Sequence, residues 1–410
     1  MAAAHPRKGE TGVIPLPAPA TGRPAAPIDA PAPAPPFPPE SQAVLQTRPI
    51  AWDDVRRVLA VRQDNRGDVL LCGPALRAIK EARPQVHLTL WTSPAGAEVW
   101  PLLPWVDAVL VSRPLWQDVA GRLPFDPARE RRLIARLRRG GYDVAIIFTS
   151  FAQSPFPPAY AAYLAGIPVR IGQSKEFGGG VLSHPVPPPP DALHQAERNL
   201  RLVEAVGLPV GDRQLALSLP PAARRRAARL LRRAGVTGSY LLVTPGASCP
   251  ARRYPLDRLL QALAMVLAAW PGWAVLGGDR AEAERLAAAG PLPPRTVSLA
   301  GQTDLPTLAA LVARAALVLT PNTLAMHLAD ASRVPVVVLF AGTELECQWR
   351  PRATRHRLLR RETPCSPCYR FDCPYGLACL DLPPAGVARA VLELLAAAGT
   401  APALQPGRER

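Results

Sequence analysis

Short apolar runs alternate with helical patterns through most of the chain, and this alternation restricts the fold more than any other feature. From residue 57 onward, apolar runs predict buried strands, and helical patterns over 74–83 and 127–139 lie between some of them. These runs are RVLAVR (57–62), HLTLWT (87–92), AVLVS (108–112) and DVAIIF (143–148). Strands and helices in this order predict a parallel sheet.

The same pattern begins again after an arginine-rich helical stretch around 221–235. Its predicted strands are SYLLVTPG (239–246), WAVLGG (273–278), TVSLAG (296–301), LVLTP (317–321) and VPVVVLF (334–340). Its predicted helices cover 256–269, 281–289 and 305–315, and a short one starts at about 324. The repetition predicts an α/β protein with two Rossmann-like halves. Neither half carries GxGxxG after its first strand or a GxxxxGK[ST] loop, which argues against a dinucleotide oxidoreductase and a P-loop NTPase.

The remaining segments are interpreted from composition. A chain of 410 residues suits two domains plus tails. The first 50 residues are rich in proline and alanine and lack the apolar region of a secretory signal, so we expect a disordered leader. Two uncharged runs, 144–169 and 259–278, are long enough to span a membrane. Prolines interrupt both, so strands, turns and helix ends explain them better.

The net charge of +16 raises the question of an acidic partner. Nearly all of the basic residues are arginines, as a GC-rich genome produces, and the basic runs at 131–132 and 224–226 are interpreted as solvated helix faces that acidic lipid could attract. No signature of an RNA- or DNA-binding module is present. Nucleic-acid binding therefore rests on charge alone, and we expect no nucleic-acid partner.

The stretch RQDNRGDVLLCGPALRAIK (62–80) places Asp68 just beyond the first predicted strand, before a helix expected to begin near Pro74. Ligands of open α/β sheets bind at this edge. A helix cap is the alternative role, because aspartate is favoured at that position.

Two stretches of the second half occupy the corresponding edge of its sheet. TPGASCPARRYP (244–255) follows the first strand of that half, and TPNTLAMHLADA (320–331) spans a strand end and a helix start. Free backbone N–H groups at a helix start, with the helix dipole behind them, suit a phosphate group.

In combination, these segments resemble glycosyltransferase family 9, the heptosyltransferases of lipopolysaccharide core synthesis. The resemblance runs from about 57 to 395 and rests on RGDVLLCGPALRAIK (66–80), LAGIPVRIGQ (164–173), PGASCPARRYP (245–255), LAGQTDLPTLAALVARAALVLTPNTLAMHLA (299–329) and LFAGTELECQW (339–349). It implies a GT-B fold, in which two Rossmann-like domains face each other across a cleft and a C-terminal helix crosses back onto the first domain. It also implies inverting transfer from a nucleotide sugar, usually ADP-heptose, with no obligatory metal or other cofactor.

The resemblance assigns roles to individual residues. Asp68 matches the aspartate taken as the general base, which removes the proton of the acceptor hydroxyl. Arg252 matches the basic position that meets the donor phosphates, and arginine can bind phosphate in a bidentate way. Residues 323–325 would offer backbone amides to the pyrophosphate; they are Thr323, Leu324 and Ala325. His327 lies on the family's histidine, with a satisfied core histidine as the alternative. Ser248 is a secondary candidate, and Arg253 is interpreted as a solvated or packing neighbour, with phosphate contact as the alternative.

The chain departs from the family where Asp-Ser/Thr-Gly is common and Asn322-Thr323-Leu324 stands instead. The missing carboxylate is one that could contact hydroxyls of the donor sugar, and the missing glycine crowds the approach to phosphate. A nucleotide-sugar-binding protein that has lost transfer is therefore the alternative function, and Asn322 remains a secondary site candidate.

Four cysteines lie close together in PCSPCYRFDCPYGLAC (364–379): Cys365, Cys368, Cys373 and Cys379. The run opens as C-x2-C, as in zinc sites, but the later gaps are not a standard ribbon spacing. A compact cysteine-rich loop is the favoured interpretation, with bound metal or an iron–sulfur cluster as the alternative.

The sequence thus predicts a leader over 1–50, an acceptor-side domain over 51–220, a nucleotide-sugar domain over 221–383, and a crossing helix and tail over 384–410. We expect a cytoplasmic enzyme, peripheral at the inner face of the membrane. Its expected partners are a nucleotide sugar and a lipid-linked or polysaccharide acceptor.

Overall fold

The predicted strands form two parallel sheets, each with six strands, in the computed structural model. The structure describes residues 49–118 and 120–399, so the expected leader lies outside the described residues except for its last two positions. The first sheet contains β1 (Arg57–Arg62), β2 (His87–Thr92), β3 (Ala108–Val111), β4 (Val144–Ile147), β5 (Val169–Gln173) and β6 (His184–Val186). The second contains β7 (Tyr240–Val243), β8 (Trp273–Leu276), β9 (Thr296–Ser298), β10 (Leu317–Pro321), β11 (Val336–Leu339) and β12 (His356–Leu359).

Both sheets have the same strand order. The first is β3-β2-β1-β4-β5-β6 and the second is β9-β8-β7-β10-β11-β12. In each, the order reverses beside the first strand of the half, which pairs with neighbours on both sides. The crevice at the carboxyl ends of the strands near such a reversal is the usual ligand site of open α/β sheets.

Thirteen helices connect and cover the strands among the described residues. They are α1 (Arg66–Leu70), α2 (Gly73–Ala82), α3 (Pro94–Ala97), α4 (Pro127–Arg139), α5 (Phe156–Leu164), α6 (Gln195–Glu204), α7 (Pro221–Arg233), α8 (Leu256–Ala269), α9 (Arg280–Ala288), α10 (Leu305–Val312), α11 (Leu324–Ala331), α12 (Glu346–Trp349) and α13 (Pro384–Ala397). Within residues 49–118 and 120–399, every helix falls short of the length and apolarity that a membrane span needs.

Buried apolar side chains connect the two halves. One continuous cluster includes Val58 and Ala60 of β1 together with Leu242 of β7 and Val318 of β10. Burial of apolar surface contributes roughly 25 cal/mol per Å². This shared core therefore stabilises the arrangement of the two sheets as well as each sheet separately.

The last helix forms over the predicted residues but packs differently from the expectation. The apolar face of α13, which includes Val387, Val391 and Leu395, lies in the same core cluster as Leu241 of β7 and Leu263 of α8. The principal contacts of α13 are with α8 and the second sheet. Its apolar face is thus covered by the second half, rather than by the first domain to which we expected it to return.

The start of the first half contains one helix more than the sequence predicted. The helix expected near Pro74 is α2, which begins at Gly73, and the short α1 precedes it from Arg66 to Leu70. Asn65 caps α1, and Asp68 lies in its first turn. Asp68 is therefore part of a helix that starts directly after β1.

Candidate functional site

A cleft between the carboxyl ends of the two sheets contains all of the candidates for donor binding and catalysis. Its lining residues from the second half include Ser248, Arg252, Arg253, Asn322, Thr323, Leu324, Ala325 and His327, and those from the first half include Asp68. The structure thus brings together residues that are up to 259 positions apart in the sequence, from Asp68 to His327. The four clustered cysteines lie outside this cleft, around a separate cavity.

Asp68 is held by two donors in the first half. Its Oδ1 accepts a hydrogen bond from Nη2 of Arg62 at 2.9 Å, and its Oδ2 accepts one from the backbone N–H of Asn65 at 3.3 Å. The second contact is half of a capping box in which Asn65 is the N-cap and Asp68 the third residue of α1, so Asp68 supports the helix start without being the cap residue itself. The capping contact also orients the carboxylate toward the cleft that it lines.

Arg62, at the end of β1, was not identified from the sequence. Its side chain is fully buried, with Nε 2.7 Å from Oδ2 of Asp64 and Nη2 donating to Oγ of Ser150 at 2.8 Å. Burial acts to lower the pKa of Arg62, but the carboxylates of Asp64 and Asp68 outweigh it and raise the pKa above its ordinary value. A permanently charged guanidinium therefore fixes the Asp68 carboxylate in place.

Arg252 closes a 3₁₀ turn, Pro250–Arg252, after β7. Its Nε donates to Oγ1 of Thr343 at 3.1 Å, and its Nη2 donates to Oε1 of Glu344 at 2.5 Å. The neighbouring Arg253 instead donates from Nε and Nη2 to the carbonyl of Ala247, at 3.1 and 3.0 Å. Arg252 is thus bound to a carboxylate within the cleft, whereas Arg253 braces the loop beneath it.

The N-terminus of α11 opens into the same cleft. The N–H of Thr323, one of the three amides expected to meet the pyrophosphate, already donates to the carbonyl of Pro321 at 2.8 Å, unlike the two expected amides that follow it. Leu324 and Ala325 are the first two residues of α11, where N–H groups have no partner within the helix. Their amides, with the positive end of the helix dipole, make the stronger candidates for binding an anion.

His327, on α11, lies where α11 of the second half packs against α1 of the first half beside the cleft. A methyl group at Gly67 of α1 would lie 3.2 Å from Cδ2 of His327 and 3.9 Å from Cα of Leu324. Glycine at position 67 therefore permits the close approach of α1 and α11. Burial lowers the pKa of His327 to about 4, so its imidazole is neutral at pH 7.

The lowered pKa of His327 predicts a loss of stability in acid. Above the unfolded pKa of about 6.5 both states are neutral, and the unfolded state binds a proton first as the pH falls toward 4. We expect this residue alone to reduce the free energy of unfolding by roughly 2 kcal/mol between pH 7 and pH 5. Urea unfolding of wild type and His327→Gln at both pH values measures it. An equal pH dependence in the two proteins would contradict the prediction.

Asn322 and Glu344 form a polar network with Arg252. Asn322 is buried; its Oδ1 accepts from the N–H of Ala341 at 3.1 Å, and its Nδ2 donates to Oε2 of Glu344 at 3.2 Å. Burial raises the pKa of Glu344, while the nearby Arg252 acts to lower it. Glu344 was not identified from the sequence, although LFAGTELECQW, which contains it, starts at the last residue of β11 and continues beyond the carboxyl end of that strand.

The four cysteines of 364–379 line one small cavity, together with Gly342 and Thr343. All are free thiols in the structure. Sγ of Cys379 accepts from the N–H of Gly342 at 3.3 Å, and Sγ of Cys365 donates to Oγ1 of Thr363 at 3.4 Å. Among the described residues, no group of three or more His, Cys, Asp or Glu side chains is arranged to hold a metal ion.

The loop interpretation of the cysteine cluster leads to a testable prediction. If the loop only packs, a serine can replace a cysteine with nearly the same shape, so we expect Cys365→Ser and Cys368→Ser to lower the free energy of unfolding only modestly, by about 1 kcal/mol each. Elemental analysis of protein purified without a histidine tag should find no stoichiometric metal. About one zinc or several irons per chain would instead establish a metal centre, whose binding energy would contribute to folding.

Two Rossmann-like sheets with their site between the carboxyl ends of the strands place the molecule in the GT-B class. The chain belongs to glycosyltransferase family 9 (heptosyltransferase), whose family model matches residues 130–378. It is therefore a glycosyltransferase, as the sequence motifs predicted.

The chain is also similar to individual proteins of this family in sequence and in fold. The chain is 24% identical over 295 residues to lipopolysaccharide heptosyltransferase 3 of Escherichia coli, covering 70% of this chain and 83% of that protein. A family 9 glycosyltransferase from Veillonella parvula has the same fold, with a TM-score of 0.68, 18% identity, and coverage of 86% of this chain and 99% of that one. The E. coli ADP-heptose lipopolysaccharide heptosyltransferase II gives a TM-score of 0.64 at 20% identity, with coverage of 83% and 99%.

Proposed function

We propose that this enzyme transfers a heptose-like sugar, with inversion, from a nucleoside-diphosphate donor to a glycan of the cell envelope. The observation that carries the proposal is the cleft itself. The carboxylate of Asp68 from the first half faces the same space as Arg252 and the α11 N-terminus from the second half. ADP-heptose is the proposed donor, and a lipopolysaccharide-type or other lipid-linked or polysaccharide glycan is the proposed acceptor.

The donor pyrophosphate is assigned to the second half. The guanidinium of Arg252 and the first-turn amides of Leu324 and Ala325 supply positive charge and N–H donors, which suit phosphate oxygens. Ser248, Arg253 and Asn322 are secondary candidates on the same wall. Because the similar E. coli proteins are named for heptose transfer and one is named for ADP-heptose, the donor proposal extends their chemistry to this chain.

The transfer itself is assigned to Asp68. Its carboxylate takes the proton of an acceptor hydroxyl as that oxygen attacks the anomeric carbon of the donor sugar. The bond from the anomeric carbon to the phosphate oxygen breaks, and the nucleoside diphosphate leaves with the electron pair. Arg252 and the α11 amides stabilise the charge that develops on the leaving phosphate. The chain's own groups thus supply both the base and the neutralising charge, and no obligatory cofactor is proposed.

The acceptor is assigned to the side of the cleft formed by the first half. We propose that the enzyme works in the cytoplasm at the inner face of the membrane. Arg131 and Arg132 of α4, like Arg224–Arg226 of α7, are exposed and can attract acidic lipid headgroups. No role in nucleic-acid binding is proposed.

Nucleoside-diphosphate release tests the proposal. ADP-heptose, UDP-glucose and GDP-mannose are each incubated with the enzyme and with lipopolysaccharide extracted from heptose-deficient cells. We expect release of ADP from ADP-heptose that depends on the acceptor, and NMR of the product should show the inverted anomeric configuration. Tight binding of ADP-heptose with no release under any condition would instead identify a nucleotide-sugar-binding protein without transfer.

A further inference from the structure

We infer that Glu344 is the residue of this cleft that recognises the hydroxyls of the donor sugar, and that Arg252 passes from Glu344 to the phosphate when the donor binds. The inference rests on the proposed function and adds to it a determinant of sugar specificity. It begins from an unusual feature of the phosphate-binding candidate: Arg252 is already paired with the carboxylate of Glu344 at 2.5 Å.

Glu344 lines the cleft together with the phosphate-binding candidate Arg252 and the proposed base Asp68. In a nucleoside-diphosphate sugar, the glycosyl group lies between the phosphate and the base that activates the acceptor. Glu344 contacts Arg252, the phosphate candidate, and lines the same cleft as Asp68, the proposed base. Its side chain is 17% exposed, so a ligand in the cleft can still reach the carboxylate.

The other acidic side chains of the cleft are engaged elsewhere. Asp279 and Asp304 cap α9 and α10, Glu282 pairs with Arg285, and Glu98 pairs with Arg66 at an exposed position. Glu344 differs because its ionic partner is itself the group assigned to bind phosphate. When Arg252 binds the phosphate, the oxygen of Glu344 that it had contacted needs other hydrogen-bond donors, because an unpaired buried charge is costly. Sugar hydroxyls provide such donors.

Asn322 positions this carboxylate. Its amide donates to Oε2 of Glu344 at 3.2 Å while its own oxygen is held by the N–H of Ala341 at 3.1 Å. A second carboxylate at position 322 would bring two negative charges into contact. Asn322 and Glu344 together therefore carry one negative charge. A double substitution, Asn322→Asp with Glu344→Gln, moves that charge from position 344 to position 322.

Calorimetric affinities for ADP and ADP-heptose test the inference. Glu344→Gln should reduce the preference for ADP-heptose over ADP by at least about 10-fold, because hydrogen bonds to a charged group are lost. Its affinity for ADP should stay equal or rise, because Arg252 is released. Asn322→Asp/Glu344→Gln should recover part of the preference. Glu346→Gln is the matched control, since Glu346 lies two positions further on and pairs with Arg360.

The outcomes separate this inference from the function on which it depends. If wild type prefers ADP-heptose and Glu344→Gln keeps that preference unchanged, the role of Glu344 is wrong and the proposed function stands. If Glu344→Gln loses affinity for ADP and for ADP-heptose equally, the role is also wrong. Glu344 would then only hold Arg252 in position and would not contact the sugar. If wild type binds neither ADP nor ADP-heptose, the proposed function is wrong, and the role of Glu344 is wrong with it.

Discussion

Replacement of Asp68 by Asn should reduce the rate of sugar transfer roughly 100- to 10,000-fold, which is the usual contribution of a general base. An amide has nearly the same shape but cannot accept the proton of the acceptor hydroxyl. Its single oxygen can still accept the hydrogen bond from Arg62, whereas its NH2 group cannot accept the weaker one that the N–H of Asn65 donates to the carboxylate, so a small loss of stability is expected as well. Donor affinity should therefore stay close to that of wild type. ADP release under saturating donor and acceptor measures the rate, and calorimetry measures the affinity.

Asp64→Asn is the matched control for this prediction. Asp64 pairs with the same Arg62, at 2.7 Å, but it is absent from the cleft lining, where Asp68 lies. Loss of either carboxylate weakens the charge balance around a buried guanidinium and should lower thermal stability. Only Asp68→Asn should lose most of its turnover. If Asp68→Asn kept more than about a tenth of the wild-type rate, Asp68 would not be the general base.

Replacement of Arg252 by Ala should weaken ADP binding roughly 10- to 150-fold, corresponding to a charge-assisted contact of about 1.5–3 kcal/mol. Two effects act in the same direction. The phosphate loses its guanidinium partner, and Glu344 loses the cation that now balances its charge beside the cleft. Calorimetric titration with ADP provides the measurement.

Arg253→Ala is the control that distinguishes a direct contact between Arg252 and phosphate from a general effect of positive charge in the cleft. Arg253 is adjacent in sequence and also lines the cleft, but its guanidinium donates to the carbonyl of Ala247. We expect the affinity for ADP to fall less than in Arg252→Ala. Equal losses in the two variants would mean that the cleft attracts ADP through its overall charge, and unchanged affinity in Arg252→Ala would remove this residue from phosphate binding.

The order of strands and helices was predictable because apolar periodicity decides it. Each of the nine predicted runs contains an observed strand; three match it residue for residue, and the other six are longer than the strand by one to four residues. The strands that the sequence did not predict have weaker patterns. β5 carries Arg170 and β6 contains Pro185, while β12 lies at the sheet edge and includes His356 and Arg357. Edge strands are half exposed, so their composition resembles that of loops.

The site was predictable only where a short motif carries it. Asp68, Arg252 and residues 323–325 follow directly from stretches at strand ends, which a parallel sheet collects at one edge. Arg62 and Glu344 act through side-chain contacts, with Asp68 six positions away and with Arg252 92 positions away, and single-sequence periodicity contains no information about such pairs. The amide at Asn322 is explained in the same way, because its partner Glu344 lies 22 positions later and holds the negative charge.

A crystal structure with ADP-2-deoxy-2-fluoro-heptose, a donor analogue that resists transfer, tests the assignment of this cleft most directly. We expect the pyrophosphate beside Arg252 and the amides of Leu324 and Ala325. The anomeric carbon should face the carboxylate of Asp68, on the side from which an acceptor oxygen attacks opposite the phosphate. A pyrophosphate bound away from the α11 N-terminus, or a sugar directed away from Asp68, would contradict the proposed donor site and mechanism.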